Sequence, residues 1–282
     1  MGETLRRHDL RPRKALGQNF LLDLSLTRRI ARAGAAPLGE VVEIGPGPGG
    51  LTRALLMEGA ERVVAIEKDE SCLAALSEIA AHYPGRLHVV EGDALTVDPR
   101  PHLRSGAPQI IANLPYNVGT ELVVRWLKAG QLSEGRAAPE DGAPWWRRIT
   151  VMLQKEVAER AAAEAGGKTY GRLAVLCAWR GEARLLFDVA PRAFTPPPKV
   201  TSSVLSITPS AAPRFPAPLG ALERVTAAAF SQRRKMLRSA LKSLGDPAAL
   251  IDAAGLDPTV RPETLRPEAF GRLAEALARR ER

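Results

Sequence analysis

Between residues 24 and about 190, short runs that are apolar throughout alternate with stretches of helical periodicity. No other feature restricts the fold as much. The runs are EVVEIG (40–45), RVVAIE (62–67), RLHVVEGD (86–93), QIIANL (109–114), ITVMLQ (149–154) and ARLLFDV (183–189), and a late one, SVLSIT (203–208), follows them. A strand buried on one face alternates apolar with polar. One that is apolar throughout is covered on both faces, as in a parallel sheet with helices above and below. The intervening patterns predict helices over about 24–34, 50–57, 69–81, 118–129 and up to about 164. The first is capped by Asp23 and stopped by Gly34. The expected fold class is α/β, a mostly parallel Rossmann-like sheet.

The rhythm breaks twice. SAAPRFPAPLG (210–220) carries three prolines and reads as a linker, and residues 221–282 show only helical patterning. The expected organisation is therefore an α/β domain over 1–209 and a small all-α domain over 210–282. QLSEGRAAPEDGAPWW (131–146) is a long polar loop inside the first domain, either a disordered insertion or a partner contact. A hydrophobic fraction of 45% is ample for a core, and no apolar run reaches the 18 residues of a membrane span. The opening MGETLRRHDLRPRK has neither the apolar middle of a secretory signal nor the Ser or Thr of a myristoylation site. Cys72 and Cys177 are lone thiols suited to a reducing cytoplasm, and the four histidines fall in no ligand pattern. No metal is expected.

Charge is segregated. Residues 1–32 hold eight Lys/Arg against three acids, and 211–282 hold thirteen against eight, while 33–210 hold 19 against 20. Codon bias explains why only 8 of 40 basic residues are Lys; it does not explain two basic ends on a neutral body. That distribution suits a polyanionic partner such as nucleic acid.

Glu43-Ile44-Gly45-Pro46-Gly47-Pro48-Gly49-Gly50 follows the first apolar strand and opens a helix, so a ligand can approach its backbone closely. Glu67 ends the next strand, where a carboxylate can accept from both ribose hydroxyls. Asp93 ends the third, where it can accept from an adenine amine. An adenosine cofactor fits both. NAD would need the loop's N–H groups for its pyrophosphate, and Pro46 and Pro48 remove two of them; S-adenosylmethionine has no phosphate to bind.

The fourth strand ends in Asn113-Leu114-Pro115-Tyr116-Asn117. This is either a strand-ending turn or a grip on an amine. An adenine amine is a poor nucleophile because its lone pair is delocalised into the ring. Two acceptors on its hydrogens, the Asn113 side chain and the Leu114 carbonyl, would localise that lone pair. Pro115 fixes the bend, and Tyr116 can stack on the base, worth roughly 1–3 kcal/mol. The base must be out of its stack.

With these residues in view, the chain resembles the KsgA/RsmA family of S-adenosylmethionine-dependent adenine dimethyltransferases of small-subunit ribosomal RNA. The motifs run in order: GQNFL (17–21), VEIGPGPGGLT (42–52), EKD (67–69), GDA (92–94), NLPYN (113–117), LQKEVAER (153–160), YGRLAV (170–175), FTPPPKVTSSV (194–204) and FSQRRKMLR (230–238). The resemblance implies a seven-stranded class I methyltransferase sheet with a helical C-terminal domain. It places Gln18, Asn19 and Leu21 over the cofactor's methionine end beside Gly45, with Glu67 on the ribose and Asp93 on the adenine. Glu43, Gly47, Lys68 and Ala94 of the same motifs join them, and Asn113 borders both cofactor and base. Asn113, Leu114, Pro115 and Tyr116 would hold the target base, with Phe194 stacked on its other face; without the resemblance, Phe194 and the prolines after it are an ordered surface loop. The implied substrate is two adjacent adenosines in a hairpin loop near the 3′ end of the 16S rRNA, within a partly assembled 30S particle, and the implied enzyme is a cytoplasmic monomer. The 131–146 loop is longer than this family leads one to expect.

In FSQRRKMLRSALKSL (230–244), Phe230, Leu237, Leu241 and Leu244 share one helical stripe, Lys235, Arg238 and Lys242 line another, and Arg233 and Arg234 flank the first. The basic face is expected to hold RNA phosphates. Two alternatives remain: an Erm-type enzyme acting on large-subunit RNA, and a ribosome-assembly or transcription factor on the same fold without catalysis.

Overall fold

A computed structural model describes residues 2–13, 17–104, 107–129, 132–133, 136–137 and 142–281. After a short helix α1 (Gly2–Arg7) and a two-residue strand β1 (Phe20–Leu21), helix α2 (Leu24–Arg32) opens on Asp23, whose side chain accepts from the N–H groups of Ser25 and Leu26. There follow β2 (Glu40–Ile44), α3 (Gly50–Met57), β3 (Arg62–Glu67), α4 (Leu73–His82), β4 (Leu87–Glu91), β5 (Gln109–Asn113) and α5 (Gly119–Lys128). Strands β6 (Leu132–Ser133) and β7 (Arg136–Ala137) form a small antiparallel ladder. Then come β8 (Arg148–Gln154), α6 (Lys155–Ala161), α7 (Arg172–Arg180), β9 (Gly181–Val189), β10 (Phe194–Thr195) and β11 (Ser202–Pro209).

Seven strands form one sheet in the order β4-β3-β2-β5-β8-β11-β9. The run from β4 to β8 is parallel, and β11 is antiparallel to β8. Every residue of β2 and β3 is buried, the charged Glu40, Glu43, Arg62 and Glu67 included, as strands covered on both faces require, whereas β4 and β9 at the two edges are partly exposed. Ile30, Leu55, Val63, Leu76 and Ile111 belong to one buried cluster. The one polar residue deep in β5, Gln109, is fully satisfied: it accepts from Ala35 N and donates to the carbonyls of Ala35 and Leu38.

Contacts divide the chain into two units that are not contiguous in sequence. The first comprises 1–126, 144–158 and 184–208; the second comprises 127–143 and 159–183 as well as 209–282. Within the second unit lie α7, α8 (Leu219–Ser231), α9 (Leu237–Ala240), α10 (Pro247–Ala253) and α11 (Pro267–Arg280). Its core includes an aromatic row: Tyr170 meets Phe230 edge-on at 5.6 Å, and Phe230 stacks on Phe270 at 5.2 Å. Residues 159–183 thus pack with helices that follow them across the proline-rich stretch, a pairing that chain order does not announce. Buried Arg180 donates to Leu127 O and Gly142 O, tying down both ends of the 131–146 loop. Residues 131, 134–135 and 138–141 of that loop lie outside the described residues.

The continuous helix expected across 230–244 does not form. Helix α8 ends at Ser231, and α9 begins only at Leu237. The N–H groups of Leu237 and Arg238, which such a helix would have bonded inward, go instead to Val260 O at 2.7 Å and Pro258 O at 3.1 Å. Leu237 and Leu241 are nonetheless buried, and Arg234, Lys235, Arg238 and Lys242 are exposed.

Candidate active site

The candidate residues collect where the parallel strands end and their order reverses, with β3 on one side of β2 and β5 on the other. In open parallel sheets this is where ligands bind. The loop after β2 turns on glycines in left-handed geometry. Gly47 (φ 55°) passes so close to the Phe20 ring that a Cβ there would lie 3.1 Å from it. At Gly49 (φ 83°), the N-cap of α3, a Cβ would lie 2.1 Å from Ile79, so no other residue lets this turn sit against α4. Gly45 N bonds Ile66 O, Gly47 N bonds Glu67 Oε2 at 2.8 Å, and Gly49 N bonds Pro46 O. Pro46 and Pro48 have no N–H. From 45 to 49, therefore, every backbone N–H is either absent or already bonded, and the loop has none for a pyrophosphate.

A pocket lies over this loop. Its lining contains Gln18, Asn19, Leu21, Glu43, Gly45, Gly47, Glu67, Lys68, Asp93, Ala94, Asn113, Leu114, Pro115 and Tyr116. Phe20, Ile44, Ile66, Leu51, Gly92, Asn117 and Val118 line it too. Phe20, Ile44, Leu51, Gly92 and Asn117 had a signal, their places in GQNFL, VEIGPGPGGLT, GDA and NLPYN; Ile66 and Val118 are neighbours of motif residues, drawn in by the strand ends.

Glu67 is 4% exposed and receives Gly47 N on one oxygen and Asp69 N on the other. Burial raises its pKa, and those two N–H donors oppose the rise by favouring the carboxylate. Glu43 is buried more completely. Removal from water pushes its carboxyl up to about 8, although Thr52 Oγ1 donates to it at 2.7 Å. Asp93, at the mouth, is held below the usual carboxylate range chiefly by Lys68 Nζ at 2.8 Å and also by Leu95 N.

Asn113 ends β5 and donates its side-chain N–H to Asn19 O at 3.1 Å. A carbonyl can only accept, so Nδ2 is committed there and Oδ1 remains for another donor. Pro115 O accepts from Val118 N and Gly119 N, starting α5 directly behind the tip. Tyr116 OH meets Ser202 Oγ at 2.5 Å. Asp69, the last residue of the EKD motif, is buried yet bonded by Gln18 Nε2, Ser71 and Arg13.

Two expected site residues are placed otherwise. Phe194 is 2% exposed and packed in the core, paired across β1 and β10 with Leu21, and is not among the lining residues. In this conformation its ring has no face free for a base. Arg233 spends its guanidinium inside the second unit, on Glu263 at 2.8 Å and on the carbonyls of Lys168 and Gly167, so it is not free for a phosphate. No group of His, Cys, Asp and Glu among the described residues could hold a metal ion.

Sheet order, glycine loop and strand-end pocket define a Rossmann-like methyltransferase. A family model described as ribosomal RNA adenine dimethylase matches residues 10–279. The chain belongs to that family. It is 58% identical to the ribosomal RNA small subunit methyltransferase A of Azorhizobium caulinodans, over 98% of this chain and 92% of the relative. With the protein of the same description from Chelativorans sp. it shares 57%, over 98% and 96%. Among solved structures, a dimethyladenosine transferase from Plasmodium falciparum has the same fold: TM-score 0.73 at 20% identity, over 93% of this chain and 98% of that one. The 23S rRNA methyltransferase ErmE matches with TM-score 0.65 at 26% identity, over 92% and 100%.

Proposed function

We propose that the pocket binds S-adenosylmethionine and that the chain methylates N6 of two adjacent adenosines in a hairpin loop near the 3′ end of 16S rRNA, in the cytoplasm and within a partly assembled small subunit. The observation that carries this reading is the oriented Asn113 amide beside a glycine loop whose N–H groups from 45 to 49 are absent or already bonded. The pocket suits this cofactor: its glycine turn leaves room for close approach, and Glu67 stands buried at the end of β3 where ribose hydroxyls could donate to it. Gln18, Asn19, Leu21, Gly45, Gly47, Asp93 and Ala94 would complete the binding surface. When bound, S-adenosylmethionine supplies an electrophilic methyl group.

The chain's own residues do the rest. Asn113 Oδ1 and the Leu114 carbonyl accept the two amine hydrogens and localise the nitrogen lone pair. Tyr116 stacks on the base, and Pro115 keeps the acceptors in register. No general base is needed, because the methylated amine loses its proton readily to water. Small-subunit RNA is favoured over the Erm-type alternative by the curated relatives, which share 56–58% identity and one small-subunit description, against 26% for ErmE. An intact Asn113–Tyr116 tip favours catalysis over a purely structural factor.

The test is methylation of partly assembled small subunits, of the isolated hairpin and of large-subunit RNA, read by mass spectrometry of the adenines. Dimethyladenosine in small-subunit RNA is expected. Asn113→Ala should abolish transfer while sparing RNA affinity. Glu67→Ala should weaken cofactor binding roughly tenfold or more, since each charge-assisted bond it loses is worth about 1.5–3 kcal/mol. Methylation confined to large-subunit RNA, or none at all, would replace this reading by one of its rivals.

A further inference from the structure

Tyr116 depends on a distant part of the chain. It follows Pro115 in the turn ahead of α5, half-buried, and lines the pocket. Its hydroxyl meets Ser202 Oγ at 2.5 Å, across 86 positions of sequence. Ser202 is the first residue of β11, has no exposed surface and is paired with Gln154 of β8. The residues on either side of it are fixed as well. Thr201 O accepts Lys155 N at 2.9 Å, and Ser203 Oγ donates to Asp188 Oδ1 at 2.6 Å. Asp188 Oδ2 in turn holds Lys155 Nζ at 2.6 Å. The serine oxygen therefore sits in a frame built from the ends of β8, β9 and β11, while the tyrosine sits in a turn. A tyrosine ring has two rotatable angles, and base stacking requires both to be set before the base arrives. Burial raises the phenol's pKa, so at neutral pH it carries its proton and can share a hydrogen bond with the serine.

We propose that Ser202 is a positioning residue for methyl transfer, its hydroxyl holding the Tyr116 ring in the orientation that stacks on the target adenine. This rests on the adenine-methylating reading of the site. The plainer alternative is a buried serine that merely finds the nearest partner, and it predicts loss of stability without a specific loss of rate.

Full-length Ser202→Ala, Ser202→Thr, Tyr116→Phe and the Ser202→Ala/Tyr116→Phe double variant decide between them. Each is assayed for methyl transfer to the hairpin, for S-adenosylmethionine affinity by calorimetry, and for quenching of a 2-aminopurine placed at the target position. Ser202→Ala is expected to lower kcat/KM roughly tenfold and to weaken the quenching, with cofactor affinity unchanged. Ser202→Thr should restore both. Tyr116→Phe should match Ser202→Ala, and the double variant should be no slower than either single one, because both remove the same bond. Wild-type rate and quenching in Ser202→Ala would overturn the proposal, as would losses that multiply in the double variant. Should Ser202→Ala fail to fold, Tyr116→Phe breaks the bond from the other side, and its wild-type rate would be equally fatal. A wild-type chain that methylates no adenine would overturn the underlying reading instead, an outcome distinct from equal rates in wild type and variants.

Discussion

Glu43 keeps a carboxyl in nearly complete burial beside a second carboxyl, Glu67, with one hydroxyl from Thr52 for company. Its pKa of about 8, raised first by desolvation and further by the charge of Glu67, means that the folded chain holds this proton more tightly than the unfolded chain does. The sign follows from linkage. The stabilisation is complete below the ordinary carboxylate range and is lost as pH rises through about 8. Glu43→Gln keeps the shape and removes the titration. Urea unfolding should therefore show the variant gaining on the wild type between about pH 4.5 and about pH 8. A constant difference across that range would mean that Glu43 does not titrate there. Glu43, Glu67, Asp93 and Asn113 were all legible in the sequence for one reason: each stands within or just beyond an apolar run, where a polar residue is conspicuous. Asp69 and Ser202 stand in the EKD and FTPPPKVTSSV motifs, but their roles were not legible, because their partners lie 51 and 86 residues away and no local pattern encodes such a bond.

Elements governed by local rules were legible almost to the residue. Helix α3 spans Gly50–Met57 and β3 spans Arg62–Glu67, as the glycine turn and the apolar run require. Elements governed by distant partners were missed or misjudged. The pairing of Phe20–Leu21 with Phe194–Thr195 carries no periodicity, and 230–244 breaks because 258–260 captures its N–H groups. The segment before β1 is held in the same remote way. Burial opposes ionisation of Asp69, but Ser71, Gln18 and Arg13 outweigh it and keep its pKa below the usual range. Gln18 Nε2 bonds Asp69 at 2.8 Å, and one residue further on Asn19 O orients the Asn113 amide. Loosening this tie should therefore disturb both cofactor retention and the amide. Asp69→Ala also removes the hydrogen bond that caps the turn at Glu70–Cys72, a loss of about 0.5–2 kcal/mol, so it will lower stability as well. Gln18→Ala separates the effects. It should speed amide exchange over 17–21 and cofactor dissociation while leaving the melting temperature near that of the wild type. Unaltered exchange in both variants would show that β1 is held by its pairing with β10 alone.

Over the whole molecule, charge and composition announced a polyanion but could not say which cations are free to meet it, because that depends on who else is near. Arg233 is spent on Glu263 and two carbonyls, and Arg224 on Glu281, whereas Lys235, Arg238 and Lys242 are exposed with no ion pair among the described residues. Nor could chain order reveal that 159–183 group with 209–282 rather than with the sheet's unit. The phosphate-binding role proposed for Lys235, Arg238 and Lys242 survives the break between α8 and α9, since it needs exposed cations and not a continuous helix. Bonds of this kind position an RNA without choosing its bases. Replacing the three by Gln should weaken rRNA binding and flatten its salt dependence, by up to about 0.7–0.9 in log–log slope for each phosphate no longer neutralised. S-adenosylmethionine affinity should be unchanged. Arg233→Gln should behave oppositely, lowering the melting temperature through the orphaned Glu263 and carbonyls while leaving the slope alone. Filter binding across a salt series reads both: an unaltered slope in the triple variant would mean that these cations are merely solvated, and that the grip on RNA lies in the basic residues of the first 32.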